Sequence, residues 1–194
     1  SATFFHLNRN KEGLRLDIRK VQDRERLIEL LKGADIFIEE EGQARLRRLG
    51  LGQKELEKIN PRLITCTITP FGEKGPWRNQ PASELVLQAM SDYLNNLGVP
   101  GEEPVRMGPD MASAGTSLYA VHAILGALYH QWRTGEGQHI SLSQMATLLF
   151  MRGFQWTGLV DPDDWQGFLS GYTKPPEHPY KAKDRPLLLG AIKE

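Results

Sequence analysis

Asp110 and Ser113 stand three residues apart just ahead of a long apolar stretch, and both side chains are of types that take part in acyl transfer. A carboxylate is nucleophilic when ionised, and its acyl derivatives stay reactive enough to turn over. A serine hydroxyl needs a neighbouring base before it attacks anything. His122 follows Ser113 by nine residues, more than two helical turns, so it is too far along for direct contact and reads as an ordinary packed histidine. Cys66 sits inside the apolar run Leu63–Ile68, where a buried, inert thiol is the expectation. Gly72 and Gly75 punctuate the loop after that run, and loops at the carboxyl ends of parallel strands line ligand crevices.

The elements that must position these groups follow from hydrophobic period and turn chemistry. Leu14–Ile18 alternates as a strand does, and Val21–Lys32 is an amphipathic helix closed by Gly33. Asp35–Ile38 is a short buried strand, Ala44–Leu49 and Gln53–Ile59 are short helices, and Leu63–Thr69 is a β-branched central strand. Residues 70–81 form a loop rich in Gly and Pro, and Ser83 caps a helix expected to run to about Leu94. Gly98 to Pro104 is a second loop. Helix Ala112–Trp132 is apolar on so many sides that burial on more than one is expected. Gly135 and Gly137 let the chain turn into strand His139–Leu142, and a further apolar helix covers Leu142–Trp156. Strand, helix, strand at this spacing predicts an α/β fold with a parallel sheet flanked by helices. Beyond Gly158 the chain becomes irregular, with a hairpin expected to turn near Asp184. This gives a large domain over residues 1–158 and the start of a small α+β domain over 159–194.

Composition narrows the classes. Of 194 residues, 40% are hydrophobic and 25% charged, as in a globular protein, and 24 basic groups balance 24 acidic ones, so nothing favours nucleic acid as a partner. No apolar run is expected to approach the ~20 residues of a membrane span. The first residues lack the pattern of a signal peptide, and a single cysteine suits the cytoplasm, where the protein is expected. No Gly-x-Gly-x-x-Gly follows a predicted strand, which disfavours an NAD-type binder. No metal is expected.

Seven blocks then occur in collinear order. They are Asn8-Arg9-Asn10-Lys11, Ala34-Asp35-Ile36-Phe37-Ile38-Glu39, Arg48-Leu49-Gly50-Leu51-Gly52 and Ile59-Asn60-Pro61-Arg62-Leu63-Ile64, followed by Phe71-Gly72-Glu73-Lys74-Gly75-Pro76, Leu85-Val86-Leu87-Gln88-Ala89-Met90-Ser91 and Arg133-Thr134-Gly135-Glu136-Gly137-Gln138. Read together, the chain strongly resembles the class III CoA-transferases, the superfamily of formyl-CoA and carnitine CoA-transferases and α-methylacyl-CoA racemases. The resemblance implies a Rossmann-like large domain, acyl-CoA and a carboxylic acid as substrates, coenzyme A as the group carried, and pairing into interlocked dimers. Self-association, or pairing with a partner domain, is therefore expected. The family's glycine-rich opening unit has no match here, so the chain reads as the middle of a longer protein.

In the family, as the resemblance implies, an aspartate near the start of the long helix attacks the thioester. Ungapped alignment places that position at Ser113. Three accounts remain open: Ser113 merely decorates a helix start in a non-catalytic module; Asp110, one turn away, supplies the carboxylate; or Ser113 is itself the nucleophile. The racemase branch's histidine falls at Ser83. By the same resemblance Arg48, Arg9 and Lys11 approach the cofactor's phosphates, which suits arginine's two-pronged donors, although all three also read as solvated charges. Gly72 lies in the loop that borders the thioester. Where the family has a cofactor loop, this chain has Glu39-Glu40-Glu41, expected to be surface charge because three carboxylates would repel a phosphate.

Overall fold

The computed structural model describes residues 2–96, 103–152, 180–181 and 186–187. At its centre, β1 (Ile36–Glu39), β2 (Ile64–Thr69) and β3 (His139–Ser143) form a three-stranded sheet in that order. Both pairings are parallel, with Ile36 opposite Ile64, Thr65 opposite His139 and Thr69 opposite Ser143. The expected α/β architecture is present, and each strand begins within one residue of its predicted start. β2 is central because the β-branched run from Ile64 to Thr69 tolerates burial on both faces, and Ile64, Cys66 and Thr67 are fully enclosed.

After a short first helix, α1 (Ala2–Leu7), one side of the sheet is closed by α2 (Val21–Lys32), α3 (Gln43–Arg48) and α4 (Gln53–Ile59). Leu31, Leu46, Leu51, Leu56 and Leu63 meet there in a cluster ringed by Leu27, Ile28, Phe37 and Ile59. Asn60 ties the ends of α4 and α2 together: its side-chain amide donates to Leu31 O at 3.0 Å and Ala34 O at 2.9 Å. Those carbonyls lie at the end of α2, where the helix itself offers no donors.

The other side carries α6 (Met111–Thr134), whose Ala120 and Ile124 pack with Cys66 against Ile36, Ile68, Ile140 and Leu142. The helix stops at Gly135, which takes the left-handed conformation at φ 80° and donates its N–H to Gln131 O. Two residues later a side chain at Gly137 would run into the Leu63 carbonyl, so the turn into β3 lies directly against the start of β2.

Several expectations are corrected. Leu14–Ile18 makes no strand, although it alternates: no ladder partner lies beside it among the described residues, and a lone extended segment has nothing to hold it as a strand. α6 is buried along one stripe only, through Ala112, Thr116, Ala120, Ile124, Ala127 and Gln131. Its opposite face leaves Leu118, Val121, Leu125, Tyr129 and Trp132 more than half exposed, Trp132 at 80%. α6 is also long and apolar enough to cross a membrane by length and composition alone, contrary to the expectation that no run would be. Small residues such as Ala114, Gly115 and Ala120 extend its uncharged stretch, and one stripe of it packs on the sheet.

α5 (Glu84–Met90) begins as predicted, with Ser83 accepting from Val86 N, but ends before Leu94. Asp92 adopts φ 62°, and Tyr93–Asn96 continues as a 3₁₀ turn. α7 (Gln144–Met151) starts later than predicted because Leu142 and Ser143 are spent in β3; its predicted end at Trp156 lies outside the described residues. So does most of the loop from Gly98 to Pro104. The chain divides into two compact units, Ser1–Leu148 and Leu149–Glu194. In the second, β4 (Tyr180–Lys181) pairs antiparallel with β5 (Pro186–Leu187), as a hairpin would; the residues at Asp184 and the segment from 159 to 179 lie outside the described residues.

Candidate active site

The start of α6 and the start of α5 are brought together by a small apolar contact. Leu87 on α5 packs with Ala112 on α6 and Leu148 on α7. Glu84 lies three residues before Leu87, on the same face of α5, and is therefore aimed at the first turn of α6. Its Oε1 accepts from Ala112 N at 2.7 Å and from the Gln88 side-chain amide at 3.0 Å. Its Oε2 accepts from Ser113 N at 3.1 Å and from Ser113 Oγ at 3.0 Å.

Asp110 occupies the cap position of α6, yet its side chain makes no capping hydrogen bond. Its carboxylate turns outward to Arg106, 2.8 Å away. Glu84 does the capping instead, from a different helix, and so satisfies two backbone N–H groups that α6 leaves unpaired. Gln88, fully buried, holds the approach segment with two more bonds: it donates to Pro109 O at 3.3 Å and accepts from Met107 N at 3.2 Å.

Partial burial pushes the Glu84 carboxyl pKa up, but the donors from Ala112, Gln88 and Ser113 outweigh it and hold the group below the usual glutamate range. The junction therefore presents an ionised carboxylate, bound to a serine hydroxyl, at the positive end of a 24-residue helix. Glu84 was not singled out from the sequence. The signal was faint but present: an acidic residue at the first position of a helix, one turn ahead of a buried Leu-Gln pair.

The other predicted residues fall as follows. Ser113 is exposed and bound to Glu84, whereas Asp110 takes no part in the Glu84 cluster. His122 is not packed: it lies exposed on the open face of α6, bonded to its own helix at Leu118 O. Gly72 takes φ 79°, and a side chain there would press on Ser143 Cβ at 3.3 Å, so the loop crosses closely over the carboxyl end of β3. Arg48 is exposed at the end of α3 and donates back to Ala44 O. Arg9 and Lys11 lie far away in sequence, along a shallow groove of about 680 Å³ that also includes Phe4, Phe5 and Asn8 but neither Ser113 nor Glu84.

The triple glutamate splits. Glu40 and Glu41 face outward, Glu41 paired with Arg45, but Glu39 is buried, accepting from the Thr67 hydroxyl and from Gly42 N at 2.8 Å. Its donors lie within the sheet and the following turn, which is why it is not the surface charge expected. Burial pushes the Cys66 thiol pKa up, and the charge of Glu39 adds to this, so Cys66 stays protonated.

The profile of CoA-transferase family III matches residues 1–194. This chain belongs to that family. Among family III relatives, it is 35% identical over 74% of its length to the Succinate–glutarate CoA-transferase of Agrobacterium fabrum, covering 36% of that protein. It is 34% identical over 74% of its length to the Succinyl-CoA:(R)-benzylsuccinate CoA-transferase subunit BbsE of Thauera aromatica, covering 35% of it. Among solved structures, a CAIB/BAIF family protein from Brucella suis superposes with a TM-score of 0.77 at 34% identity, over 84% of this chain and 43% of that one. The chain thus spans under half the length of each of these three proteins. The family's activity is CoA transfer between an acyl-CoA and a carboxylate.

Proposed function

We propose that the protein carrying this chain moves CoA from an acyl-CoA to a free carboxylic acid, and that the α5–α6 junction is where the acyl group is handled. The observation that carries this reading is the ionised Glu84 carboxylate held beside Ser113 at the start of α6, the position that family resemblance gives to the nucleophile. In this reading CoA's phosphates lie against Arg48, Arg9 and Lys11, and the Gly72 loop borders the thioester. Coenzyme A is a substrate, so the chain's own task is to orient the thioester and supply charge that is complementary to it. Short dicarboxylic acids are the acceptors to try first, because a relative at 35% identity is named for succinate and glutarate.

The test is direct. Full-length protein is mixed with succinyl-CoA and glutarate, and glutaryl-CoA is measured by chromatography. Formation of glutaryl-CoA at a rate proportional to enzyme supports the proposal; its absence with succinyl-, acetyl- and formyl-CoA donors overturns it.

A second reading is that the chain belongs to a non-catalytic subunit supporting a partner. Ser113 favours it, since a hydroxyl stands at the aspartate position, and one relative is named as a subunit. Turnover that appears only when a second polypeptide is added would select this alternative.

A further inference from the structure

We infer that Glu84 is the carboxylate that takes the acyl group from the thioester, doing from α5 what an aspartate at position 113 would do from α6. The inference rests on the CoA-transfer reading above and assigns its nucleophile. Two other carboxylates described above do not reach Ser113. Asp110 is 62% exposed and paired with Arg106 on the outer side of the loop. Glu39 is enclosed beneath Thr67 and Gly42 on β1. Glu84 alone reaches Ser113, with Oε2 3.0 Å from its Oγ, so the glutamate's extra length brings an acidic oxygen to within one hydrogen bond of the position where the side chain of α6 stops short.

The junction also suits the electronics. Backbone N–H groups of Ala112 and Ser113 hold the carboxylate from behind, fixed by the helix. The Ser113 hydroxyl is the one donor on Oε2 that rotates freely, so turning it away frees a lone pair while the backbone donors keep the group in place. The low pKa keeps it ionised at neutral pH.

The steps balance without added reagents. Oε2 attacks the thioester carbonyl carbon, a C–O bond forms and the C–S bond breaks, giving a mixed anhydride and CoA thiolate. The thiolate then attacks the glutamyl carbon, releasing the first acid as its carboxylate and leaving a glutamyl-CoA thioester. The acceptor carboxylate attacks that thioester and expels the thiolate. The thiolate returns to the acceptor's carbonyl carbon, giving the new acyl-CoA and free Glu84.

The experiment traps the acyl-enzyme. Full-length protein is incubated with succinyl-CoA, quenched with hydroxylamine and mapped by peptide mass spectrometry. Hydroxylamine displaces CoA or the succinate leaving group from an activated carboxyl, so a hydroxamate at Glu84 is expected. Glu84→Gln keeps one acceptor oxygen for the helix cap and sets an amide NH2 where Oε2 accepted, so it is expected to melt somewhat lower at neutral pH with an unaltered far-ultraviolet circular dichroism spectrum, and to lose at least about a thousandfold in turnover. Ser113→Ala is expected to keep the hydroxamate and to turn over within about tenfold of the parent. A hydroxamate at Asp110 or another carboxyl, or undiminished turnover in Glu84→Gln, overturns the assignment while leaving the CoA-transfer reading intact. No turnover and no hydroxamate anywhere overturns both.

Discussion

The leucine cluster beneath α2, α3 and α4 and the α5–α6 junction are built on opposite principles. In the cluster, Leu46, Leu51 and Leu56 are all but fully enclosed, and the stabilisation comes from apolar area removed from water. At the junction, a single partly exposed carboxylate collects four donors, and Leu87, Ala112 and Leu148 serve mainly to bring the two helices to hydrogen-bonding distance. The first arrangement resists change in volume, the second change in charge. A region held by directional, charged contacts is the one that can respond to a ligand.

The sharpest way to break this contrast is volume. Leu56→Ala, in a site 1% exposed, is expected to cost about 2–5 kcal/mol in urea unfolding and to leave the junction's chemistry untouched. A smaller loss that came with altered acyl-CoA reactivity would mean the two regions are coupled. Asn60→Ala removes a polar strap from the same leucine side and takes a donor from two carbonyls at the end of α2, so it is expected to cost about 1–3 kcal/mol by the same measurement.

Charge tests the other region through pH. The Glu84 pKa is lowered in the folded state, so the folded protein binds fewer protons there than the unfolded chain does. Its contribution to stability is present above the unfolded glutamate pKa and is lost as pH falls through the lower folded value. Unfolding midpoints compared between pH 6 and pH 3 should therefore fall less in Glu84→Gln than in the unaltered protein. Ser113→Asp is expected to reverse the sign. Two carboxylates at the Ser113–Glu84 distance of 3.0 Å repel, one pKa rises, and stability drops as pH climbs from 4 to 7. The smallest effect belongs to Ser113→Ala, about 0.5–1.5 kcal/mol for one partly solvated hydrogen bond. A larger loss would show the hydroxyl to be structural.

Fold and site were legible to different depths. β2 was readable because Ile64 to Thr69 carries its preference in its own residues, and α2 because its apolar period and Gly33 are local. Leu14–Ile18 misled for the complementary reason: alternation describes a segment able to join a sheet, and joining needs a neighbour. At the site, family resemblance singled out Ser113 and Asp110 from nearby positions in the chain, but the Ser113 partner is 29 residues away, beyond the reach of any local pattern.

By itself the sequence determined the family, the parallel α/β order of elements and the absence of an acid at position 113, since these depend on residue identity and spacing along the chain. Only the tertiary structure decided that Glu84 caps α6, that Asp110 faces Arg106 instead, that Glu39 is drawn inward, and that α6 buries one stripe and exposes the other. Each of those outcomes depends on which helix lies across from which, and such contacts are set by packing between segments distant in sequence.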